Sequence, residues 1–422
     1  MSFDIALSGI QAINEQLGTI SNNIANAGTY GFKSSRANFA SQYAGAQAAG
    51  VQIGSVTQSI ALNGGVVATG RGMDAAINGR GFFVTKDLQG QNNYTRVGIF
   101  DANSDGYMVD SAGRRVQGFS ITPPATTLGP MGDLKVPTGQ IPPVPTTTLD
   151  YVGNLSADWK VPTVLYAPPS AIPTAPTTPD PQSYNMSRVS VIYDTRGNQH
   201  TLTQYFIKKD ANTVTVRFAL DGNGTDGTDE WPAKDLAFDA KGQLVPPVAP
   251  DPGTHILTLP PVVWDGSAFA PNGAASMTVE IDYTGTSHAF GEATNSTNKA
   301  NGYSAGNFVG VELAKDGSVV AKYSNDQRQA IGKLAVATFP DEGSLTPISD
   351  TSWLASNDSG TPLYSTPGTG MAGALSVASL EGSNVDITSE LVGLMTSQRN
   401  YQANSKVIQT ENAMMQALMQ AL

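Results

Sequence analysis

Two heptad patterns, one at each end of this 422-residue chain, constrain its fold more than any other feature. Near the N-terminus, apolar residues recur alternately every three and four positions: Phe3, Ala6, Ile10, Ile13, Leu17, Ile20, Ile24 and Ala27. This spacing places them on one side of an α-helix, and such a side packs against a partner helix. We therefore predict a helix over residues 3–27 that ends at Gly28, a residue suited to a left-handed C-terminal cap.

A second pattern of the same kind occupies the C-terminal end. Its apolar positions are Ile387, Leu391, Leu394, Tyr401, Ile408, Met415, Met419 and Leu422. Asp386 and Glu390 lie where a helix N-terminus favours negative charge, and Ser383 or Asn384 is suited to cap the helix. We call each of these two apolar stripes a seam. Other apolar residues flank both seams, so a single partner helix would leave apolar surface uncovered. The pattern predicts two helices that pair as a coiled coil and also contact other copies of the chain.

The region between the two seams has the features of β-structure. Its alternation of apolar and polar residues, as in Thr213–Leu220 and Met277–Tyr283, is typical of half-buried strands. Turn sequences at Asp194–Gly197 and Asp316–Gly317 separate further strand-like runs, which predicts antiparallel hairpins. The predicted fold is a mainly β, multidomain body, with one antiparallel β-domain inserted in another and with paired terminal helices.

The distribution of proline predicts the domain boundaries. No proline precedes Pro123 or follows Pro367, whereas the stretch from Pro123 to Pro181 is rich in it. A proline-rich segment disfavours helices and central strands, so the two ends of the chain and its middle region are expected to fold differently. The predicted domains are a terminal coiled-coil assembly domain (1–30 and 387–422), an extended linker region (31–72 and 365–386), a β-domain (73–145 and 286–364) and an inserted outer β-domain (146–285).

Composition limits the chemistry that this chain supports. The net charge of −11 provides no basic excess for phosphate groups, so nucleic-acid binding is not expected. The chain has no cysteine and three histidines, which excludes disulfides and Cys-ligated zinc and leaves little for acid–base or metal chemistry. No apolar run approaches the ~18 residues of a membrane helix, so membrane insertion is not expected. We expect no cofactor.

Three motifs resemble catalytic or metal sites without meeting their requirements. Gly302–Gly306 matches G-x-S-x-G, but all three histidines precede Ser304, whereas such hydrolases have their histidine after the serine. Asp101–Gly106 opens like a calcium loop, yet position twelve is Ala112 where an EF-hand needs glutamate. An acidic cluster has no defined ligand spacing: Asp221, Asn223, Asp226, Asp229 and Glu230. We expect no enzyme and no metal site; a secreted serine hydrolase and an adhesin that uses its inserted domain remain alternatives.

Three blocks of sequence resemble the axial rod and hook proteins of the bacterial flagellum. The first is Ser21–Lys33 (SNNIANAGTYGFK), whose match to the shared signature includes Asn22, Asn23, Asn26, Gly31, Phe32 and Lys33. The second, Asp74–Val84 with Tyr94–Phe100, resembles the β-domain motif of these proteins. The third, Ser383–Ser405, resembles their C-terminal helix. Gly28 departs from the pattern, because relatives often carry a polar residue there.

The resemblance implies a structural function. Rod proteins of this family are shorter, whereas the hook branch carries a large inserted domain, so the insertion implies a hook subunit; a distal rod subunit is the alternative. Hook subunits form a helical homopolymer, a curved flexible tube that couples the motor rod to the filament as a universal joint. The expected assembly seam consists of Phe3, Ile10, Ile13, Leu17, Ile20, Ile24, Ile387, Leu391, Leu394, Tyr401, Ile408, Met415 and Met419.

The resemblance also implies a route of export and a set of partners. Lys33 is the first basic residue, so the N-terminus lacks the positive region of a secretory signal peptide. Family members leave the cell through the flagellar type III export apparatus without a cleaved signal peptide. Phe3 and Leu7 resemble the element that meets the export gate, although plain packing also explains Phe3. The other implied partners are the rod, the hook cap and the hook–filament junction proteins, and the implied location is the extracellular hook attached to the basal body.

Overall fold

The structure is a computed structural model that describes residues 2–44, 47–121, 127–169, 178–224, 231, 233–245, 255–259, 261–262 and 273–421. The chain divides into two compact units: unit 1 contains residues 1–138, 308–322 and 328–422, and unit 2 contains residues 139–307 and 323–327. Mostly antiparallel sheets with one helix at each end confirm the predicted fold class. The finer division into four domains stays a prediction.

Unit 1 contains both long helices, α1 (Ser2–Ala25) and α2 (Ile387–Ala421), which pack against each other. Gly28 lacks the positive φ predicted for a left-handed cap, and that expectation was wrong. The left-handed residue is Gly31, with φ 70°, where an added Cβ would lie 2.9 Å from the side chain of Val97. In the described part of the chain, no helix is long and apolar enough to span a bilayer.

Asp386 caps α2 instead of Ser383 or Asn384. Its carboxylate accepts hydrogen bonds from the Thr388 N–H at 3.0 Å and from the Ser389 hydroxyl at 2.7 Å. These bonds lower the pKa of Asp386, the one from Ser389 contributing most. An anionic cap satisfies N–H groups that the first turn leaves unpaired.

The strands are numbered in chain order. The first ten are β1 (Ser35–Ala44), β2 (Gln47–Gln58), β3 (Val66–Ala68), β4 (Ala75–Asn78), β5 (Phe82–Lys86), β6 (Asn92–Thr95), β7 (Phe100–Ala102), β8 (Met108–Asp110), β9 (Arg115–Ser120) and β10 (Met131–Asp133). The next eight are β11 (Thr148–Asn154), β12 (Met186–Tyr193), β13 (Gln199–Lys208), β14 (Thr213–Leu220), β15 (Lys234–Ala237), β16 (Ile256–Thr258), β17 (Glu280–Asp282) and β18 (Thr294–Ala300). The last nine are β19 (Phe308–Leu313), β20 (Ser318–Tyr323), β21 (Arg328–Leu334), β22 (Val336–Thr338), β23 (Thr346–Ile348), β24 (Ser352–Leu354), β25 (Leu363–Ser365), β26 (Ala374–Val377) and β27 (Ser379–Glu381).

The main sheet of unit 1 combines strands from both halves of the chain. Its order is β19-β20-β21-β9-β5-β6-β24-β23, with β7, β8, β10, β22 and β25 joined to it. One core cluster contains Ile60, Phe82, Val84, Tyr94, Ala335, Ala337, Phe339, Leu345 and Trp353. β1 and β2 form a separate hairpin, and two short pairs, β26 with β4 and β27 with β3, fasten the C-terminal strands to N-terminal ones.

The described residues of unit 2 form two four-stranded sheets, β16-β17-β11-β18 and β12-β13-β14-β15, that share one hydrophobic core. The strand predicted over Thr213–Leu220 is β14, and its apolar residues Val214, Val216 and Phe218 are buried as the alternation predicts. The predicted hairpin with its turn at Asp194–Gly197 is β12–β13. Around Met277–Tyr283 the apolar residues are buried, although the regular strand covers only β17.

Candidate functional site

The predicted seam of α1 is buried in its middle and exposed at its start. Ile13 and Ile20 are buried, and Phe3 is 42% exposed. Three seam residues are half-buried: Ile10, Leu17 and Ile24. Ile5 and Leu7 are also exposed in the first two turns. The beginning of α1 therefore presents apolar surface that the rest of unit 1 leaves uncovered.

The predicted seam of α2 is mainly exposed. Leu394 and Ile408 are half-buried, whereas Leu391 is 46% exposed and Met419 is 68% exposed. The other exposed seam residues are Ile387, Tyr401 and Met415. Apolar neighbours beside the seam are exposed as well: Val392, Met395, Val407, Met414 and Leu418. A contiguous apolar surface of this extent is typical of a site that contacts another protein or a membrane.

Small and polar residues of α2 face α1. The Ser397 hydroxyl donates to Gln16 Oε1 at 3.0 Å, and a Cβ added at Gly393 would lie 3.5 Å from Ile20 Cδ1. Further along, a Cβ added at Gly9 would lie 2.9 Å from Asn404 Nδ2. The two helices therefore run antiparallel, with small and polar residues of α2 at these contacts.

The register of the two helices explains why the end of α2 is bare. Each step towards the C-terminus of α2 meets a residue closer to the N-terminus of α1, from Ile20 opposite Gly393 to Gly9 opposite Asn404. At this register, the C-terminal part of α2 extends past the N-terminus of α1, and residues 412–420 are all exposed. The seam residues Met415 and Met419 lie on this extension. Within one subunit, α1 is too short to cover them.

Asn23 of the predicted signature joins α1 to the hairpin and to α2. It is buried, its amide donates to the Ser35 carbonyl at 2.8 Å, and its Oδ1 accepts from the Ser35 N–H at 2.9 Å. The same amide donates to Glu390 Oε1 at 2.8 Å. One side chain thus connects both helices to the start of β1.

Asn22 and Asn26 act locally, at the end of α1. The Asn26 amide donates to the Asn22 backbone carbonyl at 2.9 Å and to its side-chain oxygen at 3.0 Å. Phe32 is buried, and its carbonyl accepts a bond from the N–H of Asn384 at 3.3 Å. These contacts turn the chain out of α1 and place it beside the segment that leads into α2.

Lys33 lies in a buried ion cluster. Its ammonium donates to Glu381 Oε1 and to the Leu62 carbonyl, both at 2.7 Å, while Arg96 Nη1 lies 3.3 Å from Glu381 Oε2. The side chains of Lys33, Arg96 and Glu381 are at most 1% exposed. Burial lowers the pKa of Lys33 and of Arg96, and the charge of Glu381 opposes this shift in each case.

Sequence reasoning found Lys33 and missed its partners. Their one signal in the sequence is a charged residue directly beside strand-like sequence, Glu381 after Leu380 and Arg96 before Val97. Asn384, which the sequence suggested as a helix cap, instead accepts from the Ser34 N–H at 2.7 Å and donates to the Ser59 and Leu62 carbonyls at 2.9 Å. Asn384 thus fixes the helix junction rather than the helix terminus.

The described motifs that resemble catalytic or metal sites lie in a loop and in a β-turn. Ser304 lies in a loop followed by β19, without the helix that a nucleophile elbow needs, and its carbonyl accepts from the Asn325 amide at 2.6 Å. Within Asp101–Gly106, Asn103 Oδ1 accepts two backbone N–H groups and closes a β-turn between β7 and β8. Among the residues that the structure describes, no cluster of three metal-ligating side chains occurs. Asp226, Asp229 and Glu230 lie outside the described residues.

Four family models match the chain in the order of its segments. The model of the flagella basal body rod protein matches residues 3–33, and that of the flagellar hook protein FlgE/F/G D1 domain matches residues 76–142. The flagellar basal body protein FlaE D2 domain matches residues 160–303, and the flagellar basal body rod FlgEFG protein C-terminal model matches residues 377–421.

Several relatives that match this chain along its whole length are named flagellar hook protein FlgE. The flagellar hook protein FlgE of Escherichia coli K12 is 33% identical over 425 residues, covering 99% of each chain. The flagellar hook protein FlgE of Brucella suis is 29% identical and covers 98% of this chain and 96% of its own. A crystal structure of Helicobacter pylori flagellar hook protein FlgE2 is 13% identical, covers 73% of this chain and 98% of its own, and has a TM-score of 0.49.

Proposed function

This chain belongs to the flagellar hook protein family, and we propose that it builds the hook by packing the exposed apolar faces of α1 and α2 against those of neighbouring subunits. It is a structural subunit of the flagellum that self-assembles into the hook and associates with other flagellar components. The relatives named hook proteins match along the whole chain, including the region of unit 2, so a distal rod subunit is the less supported alternative.

The observation that supports this proposal most is that the C-terminal part of α2 extends past the N-terminus of α1 and exposes apolar residues there. Met414, Met415, Leu418 and Met419 are each more than half exposed. Burial of a large apolar side chain contributes roughly 1.5–3 kcal/mol. A few such residues per contact, repeated along a helical array, are sufficient to stabilise a polymer. The occupant with a matching face is a second copy of this chain.

The proposed polymer is a curved tube that acts as a flexible joint between the motor rod and the filament. Its further proposed partners are the rod, the hook cap and the hook–filament junction proteins. Only 14% of the residues of the chain are charged, so few ion pairs between subunits are expected to break when neighbouring subunits shift. Wet polar contacts between outer surfaces exchange partners at low cost, which suits a joint that bends as it rotates.

The proposal includes export through the flagellar type III apparatus, with Phe3 and Leu7 as the contact with the export gate. Both side chains are at least 40% exposed, so the folded subunit does not need them for its core. A Phe3→Ala, Leu7→Ala variant is expected to lose secretion from flagellated cells. Normal secretion with lost polymerisation would instead assign both residues to packing between subunits.

Paired variants of α2 test assembly through the helices. Leu391 and Met415 are 46% and 63% exposed in the single subunit. Replacing both by Gln removes exposed apolar surface, so the monomer is expected to fold and to lose polymerisation. Lys406→Gln, an exposed polar change on the same helix, is the matched control and is expected to polymerise normally. Sedimentation and electron microscopy of the purified proteins measure the outcome. Tubes formed equally well by the double variant would refute the proposal.

A further inference from the structure

The ion cluster of Lys33, Arg96 and Glu381, called here the Glu381 cluster, joins three segments that are distant in sequence. Lys33 lies in the chain that leaves α1, Arg96 follows β6 in the body of unit 1, and Glu381 ends β27 shortly before α2. Lys33 and Glu381 are 348 positions apart. The cluster therefore forms only when both ends of the chain meet on the β body.

Backbone contacts at the same place make the fit close. The Glu381 carbonyl accepts from the Gly31 N–H at 2.8 Å, and its carboxylate accepts from the Gly64 N–H at 3.0 Å. Gly64 approaches so closely that an added Cβ would lie 2.0 Å from the Gly382 carbonyl oxygen. Each segment thus supplies hydrogen bonds that the others need, and the carboxylate of Glu381 is their shared acceptor.

The charge balance makes Glu381 indispensable to this arrangement. Two buried cations share its carboxylate, and a buried cation without a partner is strongly unfavourable. The carboxylate of Glu342 also attracts both cations, but its hydrogen bond is to Arg80, whose Nε donates to Oε1 at 3.0 Å, whereas Glu381 bonds Lys33 and Arg96 directly. Until Glu381 is in place, Lys33 and Arg96 are more stable in water than in the site they finally occupy.

We propose that the Glu381 cluster is a latch that docks the N-terminal segment onto the β body only after the C-terminal strand has arrived. An incomplete chain lacks the carboxylate, so it leaves the N-terminal segment undocked. A complete chain fixes the end of α1 and the start of α2 on one site. The consequence for assembly rests on the proposed function: only complete subunits present α1 and α2 in the geometry that a polymer needs.

Hydrogen exchange of the full-length monomer tests the latch. In Glu381→Gln, the amides of residues 31–35 and 62–66 are expected to exchange at least tenfold faster, while those of unit 2 stay unchanged. Asp133→Asn removes a carboxylate from a half-exposed pair with Arg115 in the same unit and is expected to leave these amides protected. Unchanged protection in Glu381→Gln overturns the proposal.

A second pair of variants keeps the test decisive if Glu381→Gln loosens all of unit 1. Lys33→Met leaves Glu381 paired with Arg96, so faster exchange is expected to remain confined to residues 31–35 and 62–66. Adding Lys33→Met to Glu381→Gln is expected to cause little further acceleration, because both changes open one latch. Independent, multiplicative effects of the two changes contradict a shared latch.

Assembly of the same variant separates the latch from the proposed function. Glu381→Gln keeps every apolar residue of α1 and α2, yet it is expected to polymerise at least tenfold less than the unmodified chain. Assembly equal to that of the unmodified chain overturns the latch. If the unmodified chain itself forms no polymer, the proposed function fails, and the exchange of the monomer still decides whether the latch exists.

Discussion

At the scale of single residues, the side-chain amide of Asn23 joins α1, α2 and β1 through hydrogen bonds. Its side chain satisfies both backbone groups of Ser35 and reaches the carboxylate of Glu390. Asn23→Ala leaves these groups without their partner, so we expect unit 1 to lose about 1–3 kcal/mol of unfolding free energy. The exposed neighbour provides the control, because Asn22→Ala is expected to change stability by less than about 0.5 kcal/mol. Denaturant unfolding measures both, and equal losses would argue against a special role for Asn23.

His200 gives unit 2 a dependence on pH. Its Nδ1 lies 2.6 Å from Asp221 Oδ2 and its Nε2 lies 3.4 Å from Asp194 Oδ2. Burial lowers the pKa of His200, but the hydrogen bonds and charges of the two aspartates outweigh it and raise the pKa above its ordinary value. The resulting stabilisation is complete below the ordinary value of about 6.5 and is lost as pH rises through the raised pKa.

A His200→Gln variant isolates this contribution. The difference in unfolding free energy between the unmodified chain and the variant is expected to be largest near pH 5–6 and to shrink towards pH 9. Urea unfolding of unit 2 across this range provides the measurement. The difference removes the background from His288, whose pKa burial lowers and whose effect on stability has the opposite pH dependence. A constant difference across the range contradicts the expected ionisation of His200.

The residues of the signature could be found from the sequence, but their bonds could not. Lys33 and Asn23 stand in a segment whose resemblance to a known family singles them out. Their partners Glu381 and Glu390 lie more than 300 positions away. A local sequence pattern does not indicate which residues pair at that distance. The physical requirement that a buried charge be paired predicts that a partner exists, without identifying it.

At the scale of elements, periodicity predicted both helices and the strand β14, and turn sequences predicted the hairpin β12–β13. Heptad spacing depends on the local geometry of one helix, so α1 and α2 follow directly from it. Caps were harder, because several polar residues near a terminus compete for the same role. Asp386 binds the first turn of α2, while Asn384, two positions earlier, is engaged by the segment after α1.

Two glycines of α1 provide a contrast in helix stability. Gly18 has open space where a Cβ would be, so Gly18→Ala is expected to stabilise α1 by about 0.5–1 kcal/mol. Gly9 faces Asn404, and the 2.9 Å approach of an added Cβ to its amide nitrogen is expected to cancel that gain in Gly9→Ala. Exchange rates of the α1 amides in the monomer distinguish the two variants. Equal stabilisation by both changes would mean that Asn404 moves aside freely.

At the scale of the whole molecule, the fold class was predictable and the strand order was not. The main sheet places β21 beside β9, and β22 beside β5, which joins strands from opposite halves of the chain. Unit 2 is formed largely by the residues between those halves. Composition and turns indicated β-structure with an insertion, but pairing across such distances depends on the global fold rather than on local pattern.

The account of assembly requires that the apolar end of α2 be covered by other subunits. The most direct measurement is a cryo-electron microscopy reconstruction of the polymer assembled from the full chain. We expect a tube in which Met415 and Met419 are buried against the terminal helices of neighbouring subunits. A polymer in which these two side chains remain in solvent, with every contact between subunits made by unit 2, would contradict the account.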